Sequence, residues 1–336
     1  MKRFIIKTLF YFIPFICILG YYKFIIRPNI SGDIGALGQI SFSKSYNEYL
    51  EQNYLTDNLA KDTLIVSYEK FYPSKTPKIF TIGSSFSQKK IYGYQNYLAH
   101  ILNDSIINIE RNGSNFETTI SLLNSGFIDS SNCKLFILEQ VDRGLIWSLD
   151  KIDFKMQYKL PQKNENQTEK DTNEDSELYG FASWIRLRLG YDNPISNYDL
   201  KQDCFTHNHF SHKLFCYHED IYFDQTKPAD IEKAKENLIL LNNKFAEKGI
   251  KLIFLIAADK YDVYRPFMTN ESLPIDTTTD GLSNLSNIHI INTKPILQEM
   301  VRNGEKDVYM VNDTHWSYKA SEAVAEKIAD EINALN

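Results

Sequence analysis

The sequence predicts an α/β protein with a central parallel sheet, an N-terminal membrane-spanning helix and an irregular insertion. Three observations carry this. Short apolar runs recur along the chain, and segments of helical period lie between them. An apolar stretch of roughly 20 residues opens the sequence. The alternation stops between residues 151 and 229 and then resumes.

The opening "MKRFIIKTLFYFIPFICILGYYKFII" is long enough as a helix to cross a hydrocarbon layer of ~30 Å. Lys2, Arg3 and Lys7 precede the apolar run, which by the positive-inside rule leaves the N-terminus in the cytoplasm, although Lys23 and Arg27 follow it. No small-x-small cleavage site follows, and Cys17 lacks the preceding small residue of a lipoprotein signal. The expectation is an uncleaved anchor over 1–27 in the cytoplasmic membrane, with the rest of the chain in the periplasm or extracytoplasmic space. Residues 28–76 are mixed and tyrosine-rich and read as a membrane-proximal lead-in.

An α/β domain is expected over 77–336. "PKIFTIG" (77–83), "SIINIE" (105–110), "CKLFILEQ" (133–140), "IKLIFLIAA" (250–258) and "NIHIIN" (287–292) read as strands. Between them, "QKKIYGYQNYLAHIL", "FETTISLLNSG" and "DIEKAKENLILLNNKFAEKG" read as helices, the last capped by Asp230 and ended by Gly249. A final helix begins near Ser317. Strands and helices alternating in this way argue for βαβ units and a parallel sheet. Within the insertion 151–229, "QKNENQTEKDTNEDSE" (162–177) has no apolar residue and reads as a loop.

A chain of 336 residues, 43% apolar and 24% charged, can bury a full core. A net charge of −6 argues against nucleic acid as a partner, because neutralising phosphates takes clustered Lys and Arg. Cys17 falls in the anchor and Cys133 in a buried strand. Cys204 and Cys216 share the segment "CFTHNHFSHKLFCYH" with His207, His209, His212 and His218. A disulfide, unlinked loop residues and a zinc site are all open for it, though the spacing fits no standard zinc template. The sequence calls for no cofactor and no metal.

Ligands of a parallel sheet sit at the carboxyl ends of its strands. After the first strand comes "GSSFS", where a Ser hydroxyl at a helix start would stand beside free backbone N–H groups able to hold an oxyanion. After the second comes Gly113, which turns another N–H toward the same point. Near the C-terminus stand Asp313 and His315. A serine hydroxyl is a weak nucleophile until a base takes its proton, and the base needs a carboxylate to hold its tautomer. Each piece alone reads as a turn or a helix cap. Together Ser85, His315 and Asp313 make a candidate triad, with the Ser85 and Gly113 N–H groups as oxyanion donors. Arg143 either holds an acidic sugar or pairs with Glu139 or Asp142. Lys260 and Tyr264 follow the fourth strand and lie either at the substrate or on a solvated face.

These blocks resemble the SGNH-type hydrolases and acyltransferases, and are similar to their bacterial AlgX/AlgJ-like (DHHW-type) branch. "TIGSSFS" is similar to the block holding the nucleophile, here Ser85. "NDTHWS" is similar to the D-x-H-W block, which implies His315 as base and Asp313 as its orienter. "LFILEQVDRGLI" and "AADKYDVY" are weaker matches, at Glu139, Arg143 and Lys260. The resemblance spans roughly 77–150 and 230–335 and departs from the family in three ways. Ser84 replaces an Asp common among relatives, the D-x-H block comes last rather than first, and Glu139-Gln140 stand where SGNH enzymes place an Asn oxyanion donor.

The resemblance implies a flavodoxin-like three-layer sandwich. It also implies a serine-dependent O-acetyltransferase acting on a cell-envelope or secreted polysaccharide, with a multi-spanning membrane O-acyltransferase as acetyl supplier. Arg143, Lys260 and Trp316 are the candidate substrate-binding residues, and the insertion is a candidate lid. An acetylesterase with the same triad and a silent glycan-binding or scaffold protein are the competing functions.

Overall fold

The computed structural model describes residues 2–37, 44–54, 77–88, 93–109, 111, 113–155, 173–191, 194–221, 227–277, 279–282, 285 and 288–335. In chain order its elements begin with helices α1 (Lys2–Tyr21), α2 (Asp33–Ala36) and α3 (Lys44–Tyr54). Then come β1 (Ile79–Ile82), α4 (Tyr94–Leu102), β2 (Ile106–Ile109), α5 (Asn115–Asn124), β3 (Leu135–Val141) and α6 (Leu145–Asp150). The insertion supplies α7 (Asn173–Arg188), β4 (Ile195–Asp199) and β5 (Lys213–Tyr217). The chain ends with α8 (Pro228–Glu247), β6 (Lys251–Ala257), α9 (Lys260–Tyr264), β7 (His289–Asn292), α10 (Thr293–Arg302) and α11 (Tyr318–Leu335).

Five strands form one sheet in the order β2-β1-β3-β6-β7, every neighbouring pair parallel. This is the doubly wound order of flavodoxin-like folds. The alternation of side chains divides each strand between two cores. Ile137, Ile253 and Leu255 point to the face covered by α4, α10 and α11. Phe136, Leu138, Phe254 and Ile256 point to the face covered by α5, α6 and α8. With both faces covered, the strands read as unbroken apolar runs, which is what made them visible in the sequence. Because the sheet is wholly parallel, the carboxyl ends of all five strands share one edge.

Each of the five predicted strands is present with its ends shifted by at most two residues, β3 running one residue further, to Val141. Helix α8 begins at Pro228, two residues before the expected start. Asp230 therefore sits in the first turn and accepts from the Lys227 N–H at 3.1 Å, rather than standing at the cap position itself. Helix α7 starts at Asn173, inside the acidic stretch expected to be a loop, and the rest of that stretch lies outside the described residues. The opposing strands of the insertion pair antiparallel, from Ile195 opposite Tyr217 to Asp199 opposite Lys213. The stretch read as a lead-in contributes Ile34, Leu37, Tyr46 and Leu50 to the core beneath α4 and α11.

One helix among the described residues is long and apolar enough to cross a membrane, over Phe10–Asn29. Phe10, Tyr11, Phe12 and Phe15 on it are exposed, which suits a membrane anchor or a signal helix. Its C-terminal end does meet protein: Tyr22, Ile26 and Ile30 pack with Phe181 of α7.

Phe254 is fully buried at the centre of the sheet, its ring 6.2 Å from that of Phe116 on α5. Phe254→Ala leaves a cavity there and lowers unfolding free energy by about 3–5 kcal/mol in a urea titration.

Candidate active site

The carboxyl edge of β1 ends in Gly83, and the next turn is a single 3-10 turn over Ser85–Gln88. The long helix expected to follow this serine begins only at Tyr94, so Ser85 starts a single short turn and not an extended helix. The turn is hung on Glu139, a residue of β3 with no solvent exposure. Its carboxylate accepts from the Ser84 N–H at 2.8 Å, the Ser84 hydroxyl at 2.6 Å and the Ser87 hydroxyl at 2.8 Å. From the other side, Gln95 and Asn108 donate to the Ser87 carbonyl at 3.0 and 2.8 Å. Glycine is required at 83 because a Cβ there would lie 2.1 Å from the Ser87 hydroxyl and 2.3 Å from Glu139 Oε2. Burial pushes the Glu139 carboxyl above its ordinary range, and the serine donors pull it back.

The second half of the site is the loop between α10 and α11. His315 Nε2 lies 2.7 Å from Ser85 Oγ, and His315 Nδ1 lies 2.5 Å from Asp313 Oδ1. A carboxylate can only accept, so the neutral ring carries its proton on Nδ1 and presents the Nε2 lone pair to the serine hydroxyl. The same Asp313 oxygen accepts from the His315 backbone N–H at 2.9 Å, which fixes the short Asp-Thr-His turn. The Phe86 ring packs 5.0 Å from the imidazole and 4.7 Å from Trp316. Ser85, His315 and Asp313, 230 positions apart at their extremes, are thus brought into one hydrogen-bonded line.

The other sequence candidates fall differently. Lys260 is 1% exposed and faces neither solvent nor substrate. Its ammonium donates to the carbonyls of Met310, Val311 and Asp313 at 2.7, 3.0 and 3.0 Å, so it staples the loop that carries Asp313 and His315. Trp316 is 3% exposed and donates to the Tyr309 hydroxyl at 2.8 Å, a core contact and no sugar platform. Arg143 pairs with neither Glu139 nor Asp142. Its guanidinium bonds Asp220 on the insertion and lies 3.7 Å from Asp259, while its backbone N–H reaches Asp259 at 2.9 Å. Gly113 stands in the exposed turn after β2, on the same sheet edge, and no hydrogen bond joins it to Ser85. Gln140 is turned to Asn115, whose amide donates to it at 2.9 Å. Cys204 and Cys216 are buried free thiols, which removes the disulfide reading.

One residue beside the candidate site escaped the sequence reading altogether. Asp33, at the start of α2, accepts from the Thr314 N–H at 2.9 Å and from the Thr314 hydroxyl. One of its oxygens lies 3.9 Å from His315 Nδ1. Burial and the neighbouring Asp313 raise the Asp33 carboxyl, while Thr314, His315 and Lys260 oppose the rise. The strap carrying it is locked in place: Ile34 and Gly35 N–H groups each donate to Asn312 O at 3.1 Å. Gly32 adopts φ +75°, and a Cβ on it would lie 2.2 Å from that same oxygen. Asp33, Asp313 and His315 stand close enough to share a cation, but both His315 nitrogens are already engaged by Asp313 and Ser85, which suits proton transfer better.

Two outcomes follow from the supports. Glu139→Gln places an amide donor against serine donors, tilts the Ser85 turn and lowers kcat on a small acetyl ester by about 100-fold, with KM little changed. Lys260→Met orphans three buried carbonyls and costs about 3 kcal/mol in a thermal unfolding assay. The Lys260 ammonium is lowered from 10.5 to about 8 by burial, against the pull of Asp33 and other anionic neighbours. Between those values the unfolded chain holds the proton that the folded one has lost, so this group's contribution to stability rises with pH from about 8 to 10.5. Lys260→Met abolishes that rise.

With this geometry in hand, comparison with known proteins places the chain. Residues 214–336, which hold Asp313 and His315 but not Ser85, match the family model described as SGNH hydrolase-like domain, acetyltransferase AlgX. No curated protein matches the chain. Over that segment the chain is similar to the SGNH hydrolase-like, acetyltransferase AlgX type, and the parallel sheet order agrees with such a fold.

Proposed function

We propose that this protein is a membrane-tethered serine O-acetyltransferase that modifies a cell-envelope or secreted polysaccharide outside the cytoplasmic membrane. The observation that carries the reading is the line Ser85 Oγ, His315 Nε2, His315 Nδ1, Asp313 Oδ1, with separations of 2.7 and 2.5 Å at its two hydrogen bonds. In the first half-reaction Ser85 Oγ attacks the acetyl carbonyl while its proton passes to Nε2. The tetrahedral oxyanion is met by backbone N–H groups of the Ser85 turn, with Gly113 as the second donor. On collapse, the Nε2 proton goes to the departing donor oxygen and an acetyl-Ser85 ester remains. In the second half-reaction Nε2 takes the proton of a sugar hydroxyl, which attacks the ester and releases Ser85. Asp313 holds the tautomer and balances the imidazolium, and Asp33 adds a second negative charge on the same side.

The AlgX-type domain supports acyl-transfer or ester chemistry in general. Transfer rather than hydrolysis requires that water be kept from the acetyl ester, and the insertion supports this. Its Tyr217 lies within electrostatic reach of Asp33 and Asp313, and Arg143 sits 5.6 Å from the Tyr217 ring. The Arg143 guanidinium, 36% exposed, remains available to an acidic sugar despite its partners. The exposed apolar helix supports a single-pass anchor in the cytoplasmic membrane with the catalytic domain on the periplasmic side. A multi-spanning acyltransferase in the same membrane would then supply the acetyl group.

Ser85→Ala abolishes acetylation of the cell's glycan and the trapped acetyl-enzyme seen by mass spectrometry, while thermal stability stays within about 1 kcal/mol of wild type. Unchanged glycan acetylation in that variant would point to a scaffold role. Asp313→Asn, which keeps shape but releases the tautomer, lowers kcat by about 10⁴-fold. Purified protein given an acetyl donor forms acetylated glycan when glycan is present; release of free acetate at the same rate with and without glycan would identify an esterase.

A further inference from the structure

A second group of charges lies on the same sheet edge, away from the triad. Asp142 follows β3, Asp262 belongs to α9, and Asp276 lies in the loop that leads toward β7. All are buried, with 5%, 3% and 7% exposure. One carboxylate oxygen from each lies within 4.8 Å of the other two. That limit is about twice a Ca²⁺–oxygen bond of ~2.4 Å, so one ion can touch all three at once.

Two of these carboxylates, those of Asp262 and Asp142, are poorly satisfied among the described residues. Asp262 Oδ2 is buried and has no hydrogen-bond partner, and its carboxylate is surrounded chiefly by other acids, Asp142, Asp259 and Asp276. Asp142 receives only a long contact from the Thr279 hydroxyl, 3.4 Å. The facing cations are already committed. Lys294 donates to the Asp276 carbonyl at 2.9 Å and pairs with Asp280 at 3.1 Å. Arg143 is engaged by Asp220 and Asp259. Taken as ionised, Asp142, Asp220, Asp259, Asp262 and Asp276 outnumber Arg143 and Lys294 inside the fold. Uncompensated buried charge is expensive, and it is removed either by a proton or by a bound cation.

We propose that Asp142, Asp262 and Asp276 bind one Ca²⁺ ion. The donor set is all oxygen, which selects a hard cation over zinc or copper. Three carboxylates supply three to six of the six to eight oxygens that Ca²⁺ takes, by mono- or bidentate contact, and water completes the shell. Mg²⁺ demands a tighter octahedron and gives up its water reluctantly, so it binds more weakly here. The ion also reaches the chemistry through a short route. Asp262 and Lys260 share the five-residue helix α9, and Lys260 holds the loop of Asp313 and His315. Calcium therefore fixes the middle of a helix whose first residue, Lys260, holds the loop of the base.

The test uses the full chain in detergent, stripped with a chelator. CaCl₂ titrated into it gives saturable heat at one ion per chain, and at a hundredfold excess over Kd the melting temperature rises by about 5 °C. Asp262→Asn and Asp142→Asn lose both the heat and the shift. Ser85→Ala keeps both, which separates this site from the acyl-transfer reading. No heat and no shift in the wild-type chain would overturn the proposal and leave protons as the compensating charge. So would retained binding in a folded Asp262→Asn, or a response to MgCl₂ as strong as that to CaCl₂. Should either variant fail to fold, the wild-type titration decides alone.

Discussion

A buried ammonium holds the loop of Asp313 and His315 to the sheet. Lys260 has almost no solvent contact, and each of its three protons meets a carbonyl of the segment 310–313. Burying an unpaired charge costs several kcal/mol, so the arrangement persists only because carbonyls and the nearby carboxylates of Asp33 and Asp313 offset that cost. The payload is geometric. A loop of irregular backbone is drawn to one point above the strand ends, and His315 has nowhere else to go.

Opposite it, a buried carboxylate does the same for the Ser85 turn. Glu139 gathers the donors of Ser84 and Ser87 on the end of β3, the strand next to β1. Two buried groups of opposite sign, one on β3 and one just beyond β6, thus set the two halves of the triad. Because β3 and β6 are themselves paired in register from Leu135 opposite Lys251 to Val141 opposite Ala257, the two supports cannot drift apart. Such rigidity is what lets a serine and an imidazole approach to hydrogen-bond distance before any substrate arrives.

The strap from Ile30 to Leu37 ties this edge to the N-terminal helix. Asp33 and Asn312 lock strap to loop, while Ile30 packs with Tyr22, Ile26 and Phe181 at the foot of that helix. The same short segment therefore joins the apolar helix to the base of the triad, and fixes the side of the domain that lies near whatever surface the helix enters.

How much of this was legible beforehand follows from the range of each interaction. Strand positions, the order of elements and the residues Ser85, Asp313 and His315 were readable because apolar period, turn glycines and short polar motifs are local. The residues misplaced or left open were mostly those whose partners are distant in sequence. Lys260 looks like a surface group until the carbonyls of 310–313 close on it, Trp316 turns inward onto Phe86 and Tyr309, Arg143 finds Asp220 from the insertion, and Cys204 and Cys216, whose pairing the sequence left open, are separate buried thiols. Asp33 carried no signal at all, since its contact to Thr314 spans 281 positions. By itself, then, the sequence determined a doubly wound sheet and pointed to Ser85, His315 and Asp313 as one candidate site. The tertiary structure alone decided which charges are buried and what holds them, because desolvation and hydrogen bonding depend on neighbours that only the folded chain supplies.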